Sequence, residues 1–348
     1  MPDKCAVGVC IPTRNQAEFV TDAIRSSLEQ TVTPCDIVVL DDAGTDDTKT
    51  VVGNLRESLP THLRALLRFE RNADVLGIGG NFDRAVRLCR GDFVIKLDSD
   101  DILEPTFAEE LAKSLQDHPK AGWAHCNVLN ISPDGKPLGL AHTRKRSGFY
   151  SSGDALPAYL RHNDTCHCVM LRKSAYQSVG GYRPEMKTCE DWLLWLGMLF
   201  GGWGYCFNER PLARMRKYRA RPGLMTQRRL DFVHSLETMV PHVESACRRR
   251  NQEDLGMPTE LALSRFRSAV SRLCVSSGCD EANSRARKAL FDAAFAVHPS
   301  FRNRLWGQLG SRLPAETTRI GTRLKALPRN VARRFVQQLR ARTTRGVT

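Results

Sequence analysis

The sequence predicts an α/β fold: a mostly parallel β-sheet flanked by helices, with an all-helical C-terminal extension. Three observations carry this. Short apolar runs alternate with helical patterns over residues 6–105, the order of strand–helix–strand units that build a parallel sheet. Some runs are continuous, such as IVVL at 37–40, which suits strands buried on both faces. From Thr226 onward the signals are almost all helical and rich in Arg.

The elements follow in order. Residues 6–11 form a first strand and 17–30 a helix that repeats apolar residues at helical spacing; 36–40 form a second strand. A Gly/Asp-rich loop leads to a helix over 48–59 and a third strand at 65–69. Gly77-Ile78-Gly79-Gly80 reads as a flexible turn opening a helix over 81–90. It is not a dinucleotide fingerprint, because it follows the third strand and contains no G-x-G-x-x-G. Gly91 is placed as a helix stop, 93–97 as the fourth strand, and Pro105 in the first turn of the next helix. After 123–131 the turn Pro133-Asp134-Gly135-Lys136 ends the regular alternation, and residues 140–226 mix short strands and helices. These patterns divide the chain into a domain over 1–226 and a helical region over 227–348.

Composition narrows the class. The chain has 348 residues, 41% hydrophobic and 26% charged, as in ordinary globular proteins. The start, MPDKCAVGVCIPTRN, has none of the parts of a secretory leader. The longest uncharged run, residues 192–207, holds four glycines and is short for a membrane span. It reads as a buried helix, a turn and a strand. Twelve cysteines include no C-x-x-C, and several lie within apolar runs, which suits a reducing compartment. Cys166-His167-Cys168, with His125-Cys126, raises the question of zinc. The spacing fits no standard site and core packing is the better account. Charge is uneven: residues 1–226 carry 29 basic and 28 acidic side chains, whereas 300–348 carry 12 and 1. An anionic partner is therefore expected for the tail alone.

In an open α/β sheet, ligands bind beyond the carboxyl ends of the strands. Pro12, Thr13, Arg14 and Asn15 follow the first strand, Asp41 and Asp42 end the second, and Asp98, Asp100 and Asp101 follow the fourth. Topology brings these three polar clusters to one edge. Like charges this close raise one another's pKa and call for a cation. Oxygen ligands suit Mg²⁺ or Mn²⁺, and an ion held by one or two carboxylates also grips phosphate oxygens. A metal-bound diphosphate is the expected guest.

VGVCIPTRN, VVLDDAGTDDT and GDFVIKLDSDDILEP, followed by GGYRPEMKTCEDWLLWL and YRARPGLMT, resemble in order and spacing the family 2 glycosyltransferases of GT-A fold, over about residues 5–226. The resemblance implies a nucleotide-sugar-binding half over 1–103 and an acceptor half over 104–226. It implies that Pro12 and Arg14 flank the base, that Asp42 bonds base or ribose, and that Asp98 belongs to the D-x-D-like element. Asp100 would touch ribose or metal, Asp101 would bind the metal, and Asp191 of the Glu190-Asp191 pair would be the catalytic base. By residue type alone, Glu190-Asp191 fits a helix cap equally well. The sequence departs from the family pattern twice. Phe82 stands where an Arg often contacts the base, with Asn81 or Arg84 as replacements. Tyr218-Arg219-Ala220-Arg221 has Arg221 in place of a His, so Arg219 and Arg221 are expected to hold the diphosphate.

The reaction implied is an inverting transfer from a nucleotide-sugar donor to a hydroxyl of a glycan or glycolipid acceptor. The expected setting is cell-surface polysaccharide, lipopolysaccharide or glycolipid assembly, in the cytoplasm or at the inner face of its membrane. Residues 319–340 repeat apolar positions at helical spacing among Arg and Lys, a basic amphipathic pattern that fits an anionic membrane or the protein's own core. Nucleic acid is disfavoured by the scarcity of stacking aromatics there. Two rivals are a nucleotidyltransferase, which leaves Asp191 without a task, and a non-catalytic membrane- or nucleic-acid-associated protein on a transferase scaffold.

Overall fold

The computed structural model describes residues 6–141, 145–166, 168–218, 222–250, 255, 257–279 and 283–298. They belong to two compact units, residues 1–221 with 234–265 and residues 222–233 with 266–348.

The first unit is built on one ten-stranded sheet. Its strands are β1 (Val7–Thr13), β2 (Asp36–Asp41), β3 (Leu67–Arg71), β4 (Phe93–Lys96), β5 (Ile102–Leu103), β6 (Ala121–Ile131), β7 (Pro137–Leu140), β8 (Gly148–Tyr150), β9 (Val169–Arg172) and β10 (Gly204–Arg216). The order is β3-β2-β1-β4-β9-β6-β10-β5, with β7 on β6 and β8 on β10. Strands β3, β2, β1 and β4 are all parallel, as predicted. Every residue of β1 and β2 is buried, as continuous apolar runs require. Beyond β4 the sheet becomes mixed: β9 runs antiparallel to both β4 and β6, while β6 and β10 are parallel. The chain enters β9 at the carboxyl end of β4, where Val169 pairs with Lys96. That entry carries residues 163–166 to the edge where the acidic clusters lie.

Helices α1 (Val20–Leu28), α2 (Thr48–Ser58), α3 (Thr61–Arg64), α4 (Gly77–Leu88), α5 (Phe107–Asp117), α6 (Ser152–Tyr159), α7 (Lys173–Ser178) and α8 (Glu190–Phe200) complete this part. Val9, Ile11, Ile37, Val39, Ile95, Phe107 and Leu111 pack in one core of sheet and helix residues. Gly91 is less a helix stop than a point of close approach. A Cβ there would meet backbone atoms of Gly8, Ala6 and Phe93 at once, so only glycine lets β4 enter beside β1.

The 77–80 glycines correct the sequence reading: they form the first turn of α4, not a flexible turn before it. The cause is distant in sequence. Asp42 accepts the backbone N–H groups of Leu76 and Gly77 at 2.8 and 2.9 Å, a carboxylate cap that the helix dipole favours. Gly79 packs with space for little else, since a Cβ there would stand 3.0 Å from the Arg183 carbonyl. The uncharged run at 192–207 is the body of α8, a Gly-rich turn and the start of β10. Among the described residues, no helix is long and apolar enough to cross a membrane.

Helices α9 (Pro222–Arg248), α10 (Thr259–Cys279) and α11 (Ser284–Val297) make the C-terminal part helical, as expected. In the second unit Phe266, Val270, Leu290 and Phe291 are fully buried. Ser271 Oγ donates to the Ala294 carbonyl at 3.1 Å, and Asn283 caps α11 through the Ala286 N–H. Residues 300–348, including the amphipathic pattern at 319–340, lie outside the described residues.

Candidate active site

Three backbone positions with positive φ mark the edge. Asn15 (56°), Ala43 (51°) and Cys189 (57°) are the non-glycine cases among the described residues, and each adjoins a predicted cluster. Strained positions of this kind gather at ligand sites.

The first two clusters are tied to each other. Pro12 and Thr13 end β1 and are buried, while Arg14 and Asn15 are exposed. Asn15 Oδ1 accepts the Thr45 N–H at 2.7 Å, which joins the loops after β1 and β2. Thr13 Oγ1 is buried without a hydrogen-bond partner. Asp41 accepts the Gly44 N–H at 3.0 Å and pairs with Arg71 at 3.3 Å. Asp42 accepts from Asn72 Nδ2 at 2.7 Å as well as from the two α4 amides. Those three bonds use most of its lone pairs. Asn81 and Arg84, the replacements considered for base contact, are both engaged by Asn72.

The third cluster turns directly after β4. Asp98 is partly exposed, Asp100 is half-buried and Asp101 is 2% exposed. Burial and the neighbouring Asp98 carboxylate push the Asp100 pKa up, against a hydrogen bond from Tyr218. Burial, then Asp98 and Asp100, push Asp101 higher still. Asp101 Oδ1 accepts the Arg216 N–H at 2.9 Å, and Cys168 Sγ stands 3.6 Å from Oδ2. This set fits an oxygen-preferring divalent cation, because such an ion relieves the carboxylate repulsion. Among the described residues, no three His, Cys, Asp or Glu side chains form a cage. The fit is therefore to an ion held by one or two carboxylates, with water or phosphate supplying its other ligands.

Glu190 and Asp191 open α8, as the sequence predicted. Asp191 Oδ2 accepts from Asn163 Nδ2 at 2.8 Å, and Oδ1 lies 2.6 Å from the Trp192 amide nitrogen. Burial, and then the Asp191 charge, push Glu190 up to about 7. The α4 first turn lies alongside: a Cβ on Gly79 would stand 3.5 Å from Glu190 Cβ.

Two residues that the sequence reading passed over bind this assembly. Lys96, the last residue of β4, is 2% exposed. Its ammonium lies 3.2 Å from Asp98 and 4.0 Å from the centre of the Phe82 ring. Burial works against its charge, yet Asp98, Asp191 and Glu190 together outweigh burial and raise its pKa. Lys96 thus couples to both the D-x-D-like carboxylates and the pair on α8. Arg216, near the end of β10, donates to the Asp100 carbonyl at 2.8 Å, the Pro133 carbonyl at 2.9 Å and the Asp22 carboxylate at 2.6 Å. A charge inside the run FVIK was the available signal for Lys96; Arg216 had none, since its partners lie far along the chain. Arg219 and Arg221 fall outside the described residues.

The cysteines behave as apolar side chains. Cys126, Cys166 and Cys168 join the core, and Cys166 Sγ lies 3.3 Å from the Cys126 carbonyl. His167 is outside the described residues.

The family model described as Glycosyl transferase family 2 matches residues 8–180. The chain is 28% identical to the chondroitin synthase of Escherichia coli over 195 residues, 55% of this chain and 26% of that protein. It is 25% identical to the hyaluronan synthase of Pasteurella multocida over 190 residues, 55% of this chain and 18% of that protein. It therefore spans about a quarter of the first relative and less than a fifth of the second. The solved structure of S. aureus TarS 1-349 in complex with UDP-GlcNAc superposes with a TM-score of 0.54 at 17% identity, covering 91% of this chain and 92% of that one. That likeness carries the GT-A fold.

Proposed function

The chain belongs to glycosyl transferase family 2 through residues 8–180, and on that premise we propose that it moves a sugar, with inversion, from a nucleoside-diphosphate sugar to a hydroxyl of a glycan or glycolipid. The observation that carries the reading is the convergence around Lys96. Its ammonium pairs with Asp98, next to Asp100 and Asp101, and the charges of Glu190 and Asp191 act on it as well, so the cluster after β4 and the pair on α8 share one cation. An in-line displacement needs a leaving-group side and an acceptor side of this kind.

On the leaving-group side, Asp100 and Asp101 would hold Mg²⁺ or Mn²⁺, and a bound dication supplies charge stabilisation for the departing diphosphate. Asp98 is held against Lys96, and Arg216 fixes the turn through the Asp100 carbonyl. Pro12, Thr13, Arg14, Asn15, Asp41 and Asp42 form or brace the nucleoside end, with Thr13 Oγ1 the polar atom still wanting a partner. Arg219 and Arg221 are assigned to the diphosphate by their residue type. On the acceptor side, Asp191 takes the proton of the attacking hydroxyl, and Glu190 shapes the charge beside it. The chondroitin and hyaluronan synthases among the relatives support a polysaccharide product, and the basic residues 300–348 are the feature that favours work at the inner face of a membrane.

Calorimetric titration of wild type and Asp101→Asn with UDP, GDP, dTDP and ADP, with Mn²⁺ and with chelator, tests the donor half. Metal-dependent binding of one nucleotide, lost in the variant, is expected. Absence of binding by the wild type to all four overturns the reading. Binding of one nucleotide undiminished by chelator and by Asp101→Asn overturns the metal assignment alone.

A further inference from the structure

The three residues that follow His162 on the way to β9 are fastened one by one to three different partners. Asn163 Nδ2 donates to Asp191 Oδ2 at 2.8 Å. Asp164 pairs with Lys145 at 2.6 Å. Thr165 Oγ1 bonds the Tyr159 hydroxyl at 2.6 Å, and the Tyr159 carbonyl in turn accepts Trp192 Nε1 at 2.7 Å. The segment therefore grips the first turn of α8 twice, at Asp191 directly and at Trp192 through Tyr159.

The Asn163 side chain is itself oriented. Its Oδ1 accepts the Thr165 N–H at 3.1 Å, so its NH₂ is the end that meets Asp191. Lys145 adds stiffness from the other side: its ammonium lies 4.7 Å from the ring centres of both Tyr205 and Phe207. The Asp164 pair is largely withdrawn from solvent, with side chains 12% and 26% exposed. A short loop with this many buried anchors is built to hold one geometry.

We propose that Asn163 is a positioning residue that aims the Asp191 carboxylate at the acceptor hydroxyl. The proposal rests on the reading of Asp191 as base. With Oδ1 turned to its own helix end and Oδ2 held by Asn163, the carboxylate has one orientation, and the second lone pair of Oδ2 is left for the proton. Without the amide the side chain is free to turn about χ1. A base misplaced by about an ångström costs roughly 10²-fold in rate.

Two substitutions separate this role from a local turn. Asn163→Asp keeps the size of the side chain and the acceptor for the Thr165 N–H, but puts a like charge against Asp191. Asn163→Ala removes both bonds. Nucleotide release from UDP-GlcNAc, UDP-glucose, GDP-mannose and dTDP-rhamnose is measured for wild type with acceptor extracts, and the donor consumed is then used throughout. For both variants we expect kcat lowered about 10²-fold, with donor KM within about twofold of wild type, because the donor side is untouched. Circular dichroism melting checks that the variants are folded. Wild-type kcat in Asn163→Asp overturns the proposal and leaves Asn163 a turn residue. Wild-type kcat in Asp191→Asn instead overturns the base assignment, whatever Asn163 does. No release from any of the four donors by wild type counts against the transfer reading and the proposal together.

Discussion

Lys96 keeps its charge in a place where burial alone would remove it. The ammonium is 3.2 Å from Asp98, with a side chain 3% exposed, and Glu190 and Asp191 add to its field. Removing one partner of a buried ion pair leaves the others uncompensated, at about 3–5 kcal/mol. Lys96→Met, which keeps the contact with Phe82, is therefore expected to lose about that much stability in urea unfolding. Adding Asp98→Asn should recover part of the loss, and a double-mutant cycle reads the coupling. Glu190 shows the opposite side of the same field. Burial and Asp191 raise it from the ordinary carboxylate value to about 7, so the folded protein binds its proton more tightly than the unfolded chain does. Its contribution to stability is whole below about pH 4.5 and fades as pH rises through 7. Glu190→Gln should flatten that decline: between pH 5 and 8 the variant loses about 1–3 kcal/mol less than wild type, measured by unfolding at each pH. Equal slopes in the two proteins would refute the assignment.

Helix α4 shows what a linear reading of the chain sees and what it misses. Its apolar face was visible, because Phe82, Ala85 and Val86 recur at helical spacing and are buried. Its start was not, because the cap is Asp42, 35 positions upstream of Gly77. The same division holds across the fold. Strands β1, β2 and β4 announced themselves as continuous apolar runs, since burial on both faces leaves no other composition. The antiparallel insertion of β9 between β4 and β6 left no local mark, because strand order is a property of pairs. The site divides in the same way: the acidic clusters were placed at one edge by topology, whereas Asn163 and Arg216 depend on partners 28 and 115 positions away. Asp42 ties α4 to the end of β2 and gives a test at this scale. Asp42→Asn turns an amide NH₂ toward one of the two capped N–H groups. The first turn should fray, with amide exchange at residues 76–80 faster by about tenfold, the size of one lost cap. Unchanged exchange would mean that packing of Gly79 against Arg183 holds the turn without the carboxylate.

Across the whole molecule, charge is segregated more sharply than structure. Of a net charge of +14, residues 300–348 supply 12 basic and 1 acidic side chains, while residues 1–226 are nearly balanced. Balanced charge suits the proposed donor site, where an anionic nucleotide would meet the acidic edge together with a compensating cation. A concentrated cation suits attraction to an anionic surface, at about 1 kcal/mol per basic residue near the surface. Screening weakens that attraction steeply once the Debye length falls to about 3 Å at 1 M salt. The two ends of the chain should therefore separate experimentally. Replacing Arg329, Arg333, Arg334 and Arg340 with Gln is expected to abolish co-sedimentation with phosphatidylglycerol vesicles at low salt. Nucleotide binding should remain as in wild type. Wild-type vesicle binding should itself vanish at 1 M NaCl and be absent for phosphatidylcholine vesicles. Loss of nucleotide binding in the four-residue variant would instead mean that the tail serves the donor site, as Arg219 and Arg221 are proposed to do. Vesicle binding that survives both high salt and the substitutions would place the membrane contact on apolar surface, and the exposed Val75, Leu76 and Ile78 at the start of α4 would be the first residues to change.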